Sequence, residues 1–202
     1  KNYQTMVLYL CSHLCEVPEV LKEEKWIPLF VKDTGGAYLR VSAESHITRL
    51  NMPQEGNQKW GASRVHKSRV NSLPQMLQEA WYALWAGFSY SGSEKVGEIQ
   101  FYLCKNMNEE FSLKSVAEKY HFSEPYFCTL FKKGTGMSVI HFVQHVRVHY
   151  GTYLIRNSEK KLQEIAEEVG FENYSYFGKL FKRYVGQTPE AYREGSEGKL
   201  GI

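Results

Sequence analysis

Three histidines stand four residues apart along one stretch of the chain, namely His141, His145 and His149. Residues at this spacing lie on one face of a helix, so two of the imidazoles could bind the same metal ion. A tetrahedral metal site needs further ligands, and no cysteine, aspartate or glutamate lies close by in the sequence. We therefore interpret the three histidines as a face that contacts solvent or phosphate, and a metal site is the alternative.

Cysteines offer a second chemistry, which is thiol redox or metal binding. Cys11, His13 and Cys15 lie close together, but two cysteines four residues apart more often fill the packing face of a helix. Cys128 could sense an oxidant if Lys132 stabilised its thiolate, although a small side chain that faces a groove is the simpler interpretation. Four cysteines in 202 residues do not make a disulfide framework.

Basic residues supply a third chemistry, which is phosphate binding. Lys132 and Lys133 end one apolar segment, and Lys182 and Arg183 end a second segment of similar pattern. The formal net charge is only +3, so a polyanion would have to be bound by well-placed cations rather than by overall charge. No Ser-His-Asp set, phosphate loop or pair of carboxylates has catalytic spacing, so the sequence offers no catalytic site and implies no cofactor.

The two basic pairs belong to an internal repeat. In its first half, residues of the two copies are 49 positions apart, as Val116 and Ile165 are. In its second half they are 50 positions apart, as Phe127 and Phe177 are. One copy therefore carries one extra residue between the two halves.

Each copy predicts two helices joined by a short turn. Apolar residues recur at i, i+1 and i+4 in the first helix and at i, i+3 and i+4 in the second, so each helix has one apolar face. Gly170 would end the first helix of the second copy, and His121 at that place in the first copy predicts a turn that is built differently. Ser123 and Asn173 are the expected N-caps of the second helices.

Two helices with a tight turn and a polar outer face are typical of a helix-turn-helix, whose second helix enters the DNA major groove. A plain helical repeat is the alternative, but such repeats need about three stacked copies to bury their faces. A long helix is predicted between the copies, from Val139 to Arg156. At about 1.5 Å per residue it would hold the two motifs roughly 27 Å apart, which predicts two DNA subsites about ten base pairs apart.

Residues 95–193 resemble the DNA-binding domain of AraC/XylS-type transcriptional regulators. The resemblance rests on IAEEVGF (Ile165–Phe171), YFGKLFKRYVGQTPEAYR (Tyr176–Arg193) and VAEKYHFSEPYFCTLFKKGTGMS (Val116–Ser138). It implies double-stranded promoter DNA as the partner, and RNA polymerase as a further candidate partner. It also implies a structural role for Arg147, which matches an arginine of the family.

Base contacts are expected on the outer face of each second helix, opposite the buried face. This geometry and the resemblance together select Pro125, Cys128, Thr129, Tyr174, Ser175, Tyr176 and Lys179. Lys179 is the candidate for guanine, because an ammonium group can donate to the O6 and N7 acceptors of that base. Phosphate contacts are expected from the basic pairs, Lys132, Lys133, Lys182 and Arg183.

The first 92 residues predict a small α/β domain. The expected elements are a helix, two hairpin strands, a third strand and a second helix, over residues 3–22, Trp26–Val31, Tyr38–Val41, Trp60–Ser63 and Leu73–Phe88. The second helix is expected to carry Leu77, Ala80, Trp81, Leu84 and Trp85 on one face. Ser89–Glu94 is the expected flexible linker to the rest of the chain.

The hairpin and SLPQMLQEAWYALWAGF (Ser72–Phe88) resemble the degenerate cyclase-like middle domain of YesN-type response regulators. A working cyclase would follow the Gly35-Gly36 pair with acidic residues that hold metal and triphosphate, and Ala37 and Tyr38 stand there instead. The resemblance therefore implies a spacer, a signal relay or a dimerisation module, with a homodimer as a candidate assembly. A cyclase-type nucleotide enzyme is an alternative, as is a metal- or redox-sensing DNA-binding protein.

Together these patterns predict an α+β chain that is not an enzyme. A regulatory α/β domain over residues 1–92 would precede an all-α DNA-binding domain over residues 94–202, with two helix-turn-helix motifs joined by a long helix. The sequence has no signal peptide and no long apolar run, so a cytoplasmic protein without a membrane segment is expected. Since the chain opens on Lys1 rather than on methionine, we expect it to be a fragment of a longer protein.

Overall fold

The computed structural model describes residues 5–12, 26–32, 35–42, 59–67 and 69–197. The chain divides into two compact units, Lys1–Gly97 and Glu98–Ile202. Strands and a helix form the first unit, and helices form the second, which confirms the predicted α+β class.

The described strands of the first unit are β1 (Thr5–Ser12), β2 (Trp26–Lys32), β3 (Gly35–Ser42), β4 (Lys59–Ala62) and β5 (His66–Lys67). They form one antiparallel sheet in the order β2-β3-β1-β4, and β5 also pairs with β1. The predicted hairpin is confirmed as β2 and β3, and the predicted third strand is confirmed as β4. Asp33 and Thr34 of the predicted hairpin turn lie outside the described residues.

Strand β1 shows that the helix predicted over residues 3–22 is wrong for residues 5–12. β1 pairs along its whole length with β3, and its other edge pairs with β4 and β5. Residues 5–9 are all buried, and a continuous apolar run fits a buried central strand as well as it fits a helix. Cys11 is buried in this strand and not on a helix. The neighbouring His13 and Cys15 lie outside the described residues.

Helix α1 (Leu73–Ala86) follows a short 3-10 turn (Val70–Ser72) and packs against one face of the sheet. Its Met76 and Ala80 contact a cluster formed by Met6, Leu8, Leu39 and Val41. Gly61 allows this packing, because a Cβ atom there would lie only 2.2 Å from the carbonyl oxygen of Ala80. Of the residues predicted to share one face of this helix, Ala80 is buried and Leu77 is 41% exposed, and Ala83 is buried as well.

Glu79 is a fully buried carboxylate that ties α1 to the segment after β4. The backbone N–H and the Nε of Arg64 each donate to it at 2.9 Å, and Nε2 of His66 and Nε2 of Gln75 lie at the same distance. Burial alone would raise the pKa of Glu79, but the hydrogen bond with His66 and the charge of Arg64 lower it below the ordinary value.

The segment between α1 and α2 (Glu94–Lys105) contains one buried aromatic residue, and its flexibility as a linker stays a prediction. Tyr90 is only 2% exposed, and its ring lies 5.0 Å from that of Phe88. On α2, Val96, Ile99 and Leu103 recur at helical spacing and are all buried.

The second unit continues with six helices along the described chain. These are α3 (Leu113–Lys119), α4 (Glu124–Thr135), α5 (Val139–Asn157), α6 (Leu162–Glu168), α7 (Tyr174–Val185) and α8 (Pro189–Glu197). The predicted long helix is confirmed as α5, which contacts α4 and also α6, α7 and α8. Gly151 of α5 lets Phe177 of α7 come close, because a Cβ atom at Gly151 would lie 3.1 Å from that ring.

Candidate nucleic-acid interface

Helices α3 and α4 form one helix-turn-helix motif, and α6 and α7 form the second. Their turns contain one residue with a left-handed backbone, His121 with φ 60° and Gly170 with φ 86°. In both turns this residue donates its amide to the carbonyl three positions earlier, at 3.0 and 2.9 Å. The next amide donates to the carbonyl five positions earlier, at 2.9 and 2.8 Å. The expectation that the first turn is built differently is therefore wrong, and His121 adopts the backbone of the glycine.

The two motifs differ in the residues that follow these turns. Asn173 caps α7, because its side chain accepts a hydrogen bond from the amide of Tyr176 at 3.0 Å. Ser123 occupies the N-cap position of α4, but its side chain makes no capping hydrogen bond. Glu172 is the extra residue of the second copy, since it separates Phe171 from the N-cap.

Each second helix buries one face and exposes the opposite one. Phe127 and Phe131 of α4 are fully buried, and Leu130 beside them is half-buried. The matching residues of α7 are Phe177, Leu180 and Phe181, which are all buried in the core cluster of the second motif. The buried faces therefore follow the predicted helical spacing.

On α4 the three residues predicted to contact bases are exposed. Pro125, Cys128 and Thr129 occupy one side of the helix, opposite Phe127 and Phe131. The hydroxyl of Thr129 donates to the carbonyl of Pro125 at 3.0 Å, so its proton is already used within the helix.

On α7 the structure separates the four predicted base-contacting residues into two groups. Ser175, Tyr176 and Lys179 are exposed and line one groove, whose other wall comes from α5 and the loop 108–111. Gln144 of α5 donates to the hydroxyl of Tyr176 at 2.9 Å, which fixes that ring.

Tyr174 lies apart from this group. It is half-buried against the core cluster, and its hydroxyl donates a short hydrogen bond to the carboxylate of Glu190 on α8. Burial and this carboxylate raise the pKa of Tyr174 well above its ordinary value, and the same hydrogen bond lowers the pKa of Glu190. The base-contacting role of Tyr174 stays a prediction, and the structure places its hydroxyl in the packing between α7 and α8.

The four residues predicted to contact phosphate are exposed at equivalent positions. Lys132 and Lys133 lie in the last turn of α4, and Lys182 and Arg183 lie in the last turn of α7. Cations at the end of a helix also interact favourably with the helix dipole, so they would stabilise the helices even without a ligand.

Tyr126 is a surface residue of α4 that sequence reasoning missed. It is 56% exposed, and Tyr176, which lies 50 positions later in the other copy, is 48% exposed. Each ring packs against the phenylalanine of its own turn, Phe122 at 5.3 Å and Phe171 at 6.0 Å between centroids. The internal repeat could have identified Tyr126, because Tyr126 stands at the position of Tyr176, which was predicted to contact bases.

Arg147 of α5 holds the second motif against the loop that follows α2. Its guanidinium donates to the carbonyls of Met107, Glu109 and Gly170, each at 2.7 Å. It also lies 5.7 Å from the centre of the Phe171 ring, and burial lowers its pKa. A Cβ atom at Gly170 would come within 2.8 Å of this guanidinium, so the turn and the arginine fit closely.

Among the residues that the structure describes, the histidines and cysteines considered for other chemistries do not form a metal site. The rings of His145 and His149 lie 4.3 Å apart, but within the described residues no three histidine, cysteine, aspartate or glutamate side chains form a metal-binding group. Cys128 is exposed, whereas Cys104 is buried and its pKa is raised by burial. In the part of the chain that the structure describes, no helix is both long and apolar enough to cross a bilayer.

The chain is similar in sequence and in structure to several known proteins. Residues 116–195 match a family model described as a helix-turn-helix domain. The chain is 37% identical over 105 residues to the bifunctional transcriptional activator/DNA repair enzyme AdaA of Bacillus subtilis (strain 168). That alignment covers 52% of this chain and 50% of AdaA, so the chain spans about half the length of this curated relative.

Two solved structures are also similar. The C-terminal domain of the two-component response regulator yesN from Fusobacterium nucleatum subsp. nucleatum is 33% identical, with 50% of this chain and 99% of that domain covered and a TM-score of 0.48. The DNA-binding domain of AdpA, a global transcriptional factor in complex with a target DNA, is 23% identical, with 53% and 96% covered and a TM-score of 0.51. The likeness to AdpA shows the fold. The metal-sensing, redox-sensing and cyclase alternatives find no support among these relatives, and residues 116–195 belong to the AraC-type helix-turn-helix domains of transcriptional regulators.

Proposed function

We propose that this chain binds double-stranded promoter DNA by placing α4 and α7 in successive major grooves on one side of the duplex. The equivalent exposed faces of the two helices support this proposal most directly. Each face has side chains near the helix N-terminus that can contact bases and a basic pair in its last turn. Recognition helices contact base edges with residues near their N-termini, and lysine and arginine bind the phosphates beside them.

The connecting helix has a suitable length. α5 has 19 residues and is therefore about 28 Å long at 1.5 Å per residue. Successive major grooves on one side of B-DNA are about 34 Å apart. If the recognition helices lie closer together than the two grooves, the DNA has to bend to contact both of them, which costs on the order of 1–6 kcal/mol. We expect a binding site with two short subsites about ten base pairs apart and flexible steps between them.

The two subsites should differ in sequence because the two exposed faces carry different residues. On α7, Lys179 and Ser175 present donors, and we propose that Lys179 contacts guanine O6 and N7. On α4, Pro125, Cys128 and Thr129 occupy the corresponding surface. A chain with two different recognition helices reads an asymmetric site, so one copy of the chain is enough to contact both subsites.

The rest of the protein is proposed to regulate this binding. We propose that residues 1–92 form a signal-relay or dimerisation module, through which two copies associate, and that the DNA-bound protein contacts RNA polymerase. Residues 94–202 alone are expected to fold and to bind the same site. Half of AdaA lies outside its alignment with this chain, so the repair activity in its name is not carried over. We propose a regulator without catalytic activity.

The test selects duplexes from a random library with the purified chain, in the presence of a chelator and without nucleotide. Enrichment of one asymmetric site with two subsites is expected. The library experiment is then repeated with Lys179→Ala and with the matched variant Lys182→Ala, which removes the same charge from the same helix.

The two variants should behave differently. Lys179→Ala should weaken binding of the selected site by about 1–3 kcal/mol and relax the preference at one base position. Lys182→Ala should weaken all duplexes alike and reduce the slope of log affinity against log salt by about 1. Enrichment of no sequence would contradict the proposed function. An unchanged preference in Lys179→Ala would remove Lys179 from the base-contacting set.

A further inference from the structure

Apart from the hydroxyl of Tyr126, the exposed residues in the first two turns of α4 supply few hydrogen-bond donors. Pro125 has no polar side-chain group, and the thiol of Cys128 is a weak donor. Thr129 already donates its proton to the carbonyl of Pro125 at 3.0 Å. Glu124 in the first turn is exposed and, as a carboxylate, only accepts hydrogen bonds.

The equivalent face of α7 has a different chemistry. Ser175 stands at the position of Pro125 and can donate its hydroxyl proton, and Lys179 stands at the position of Thr129 with three ammonium protons. Gly178 stands at the position of Cys128, and a Cβ atom there would meet nothing within 4 Å. The donors are therefore concentrated on the second recognition helix.

Tyr126 adds a large apolar surface to the donor-poor helix. Tyr126 is 56% exposed, although the transfer of an aromatic ring out of water is favourable. The contact with Phe122, at 5.3 Å between ring centroids, holds the ring at the start of α4. This is the part of a recognition helix that contacts base edges. Tyr126 is therefore held where an apolar side chain can meet the floor of the groove.

The major groove contains one apolar group that distinguishes a base pair, which is the 5-methyl group of thymine. Guanine presents two acceptors, O6 and N7, and needs donors that Pro125, Cys128 and Thr129 supply poorly. An apolar side chain that packs against a thymine methyl group buries that methyl group, which stabilises the complex. The chemistry of α4 therefore matches thymine better than guanine.

We infer that α4 recognises thymine methyl groups through the surface formed by Pro125, Tyr126, Cys128 and Thr129, with Tyr126 as a specificity-determining residue. This inference rests on the proposed function and specifies the kind of sequence in one of its two subsites. The subsite of α4 is rich in A·T pairs, and the subsite of α7 contains the guanine that Lys179 contacts.

The test replaces each thymine of the selected duplex, one at a time, by deoxyuridine, which lacks only the 5-methyl group. In the α4 subsite, at least one replacement should weaken binding of the unmodified protein about fourfold, the equivalent of one buried methyl group. Tyr126→Ala should bind the thymine duplex more weakly and should no longer distinguish it from the deoxyuridine duplex at that position. Tyr126→Phe keeps the ring, and it should keep the discrimination. Replacements in the α7 subsite provide the control, because Tyr126→Ala should not alter their effect.

Each other outcome counts against the inference. If Tyr126→Ala and Tyr126→Phe weaken all sequences alike and flatten the salt dependence, the hydroxyl contacts phosphate and the inference is wrong. If guanine proves essential in the α4 subsite, or if Tyr126→Ala binds and discriminates as the unmodified protein does, the inference is wrong while the proposed function stands. If no duplex is bound specifically, the proposed function fails and the inference fails with it. Because Tyr126 is exposed, circular dichroism should show an unchanged fold in both variants.

Discussion

Arg147 is expected to determine the stability of the second motif, and Arg147→Met tests this. The guanidinium donates three hydrogen bonds of 2.7 Å to the backbone carbonyls of Met107, Glu109 and Gly170. Hydrogen bonds from charged groups contribute about 1.5–3 kcal/mol each when they are buried. Arg147 is only half-buried, and bonds that share one group are not additive, so the lower end applies. We expect Arg147→Met to lower the free energy of unfolding by about 3–5 kcal/mol.

Two further variants separate hydrogen bonding from charge. Arg147→Lys keeps the charge but loses the planar fork that contacts three carbonyls, so it should lose most of the same free energy. Arg156→Met is the control, because Arg156 is an exposed arginine of the same helix whose guanidinium lies 4.8 Å from the centre of the Tyr192 ring. That contact is worth about 0.5–1 kcal/mol at an exposed site.

Urea unfolding of the whole chain measures these effects separately in the two units. All four tryptophans precede residue 86, so tryptophan fluorescence follows the first unit, whereas far-ultraviolet circular dichroism follows mainly the helices of the second. Arg147→Met should shift the circular dichroism transition to lower urea and leave the fluorescence transition in place. If Arg147→Met costs no more than Arg156→Met, the three hydrogen bonds do not stabilise the motif and the reasoning is wrong.

Three other substitutions have expected outcomes of their own. Gly178→Ala should raise the stability of α7 by about 0.5–1 kcal/mol, because the added Cβ atom contacts no other protein atom. The same substitution should weaken DNA binding, because the added methyl group would lie between α7 and the bases. Increased affinity for DNA would contradict this placement of α7. His121→Gly should raise the free energy of unfolding by up to about 1 kcal/mol by removing a left-handed non-glycine residue, and thermal unfolding measures it. Glu79→Gln should destabilise the first unit by about 3 kcal/mol at pH 7, where the carboxylate pairs with Arg64. Because the pKa of Glu79 is lowered from 4.5 on folding, its contribution is present above about pH 4.5 and is lost as the pH falls further, so fluorescence-detected unfolding of the two proteins should converge in acid.

The second unit could be predicted well because its apolar residues repeat with helical spacing. Phe177, Leu180 and Phe181 follow the i, i+3, i+4 pattern, and a helix that buries this face has to expose Ser175 and Lys179. The exposed face therefore follows from the buried one. The role of each exposed residue toward DNA does not follow from exposure, and it stays a prediction.

Other features could not be predicted because their cause lies elsewhere in the chain. The run Thr5–Ser12 has spacing that fits a helix, and only pairing with β3 and β4 makes it a strand. The three partners of Arg147 are backbone carbonyls, which leave no trace in the sequence. Tyr174 has the spacing of a surface residue of α7, but Glu190 of α8 accepts its hydroxyl proton.

The phase of the two subsites tests the central claim most directly, because α5 fixes the separation of α4 and α7 within one chain. Affinity should be measured for the selected duplex and for duplexes with five or ten base pairs inserted between the subsites. Five base pairs turn one subsite to the opposite side of the helix, so binding should fall to the level of a duplex with a single subsite. An insertion of ten base pairs returns both subsites to the same side of the duplex but doubles the distance between them. Because α5 has a fixed length, α4 and α7 cannot reach both subsites, and binding should stay weak. Tight binding that survives the five-base-pair insertion would contradict the account, since only one helix-turn-helix motif would then read the DNA.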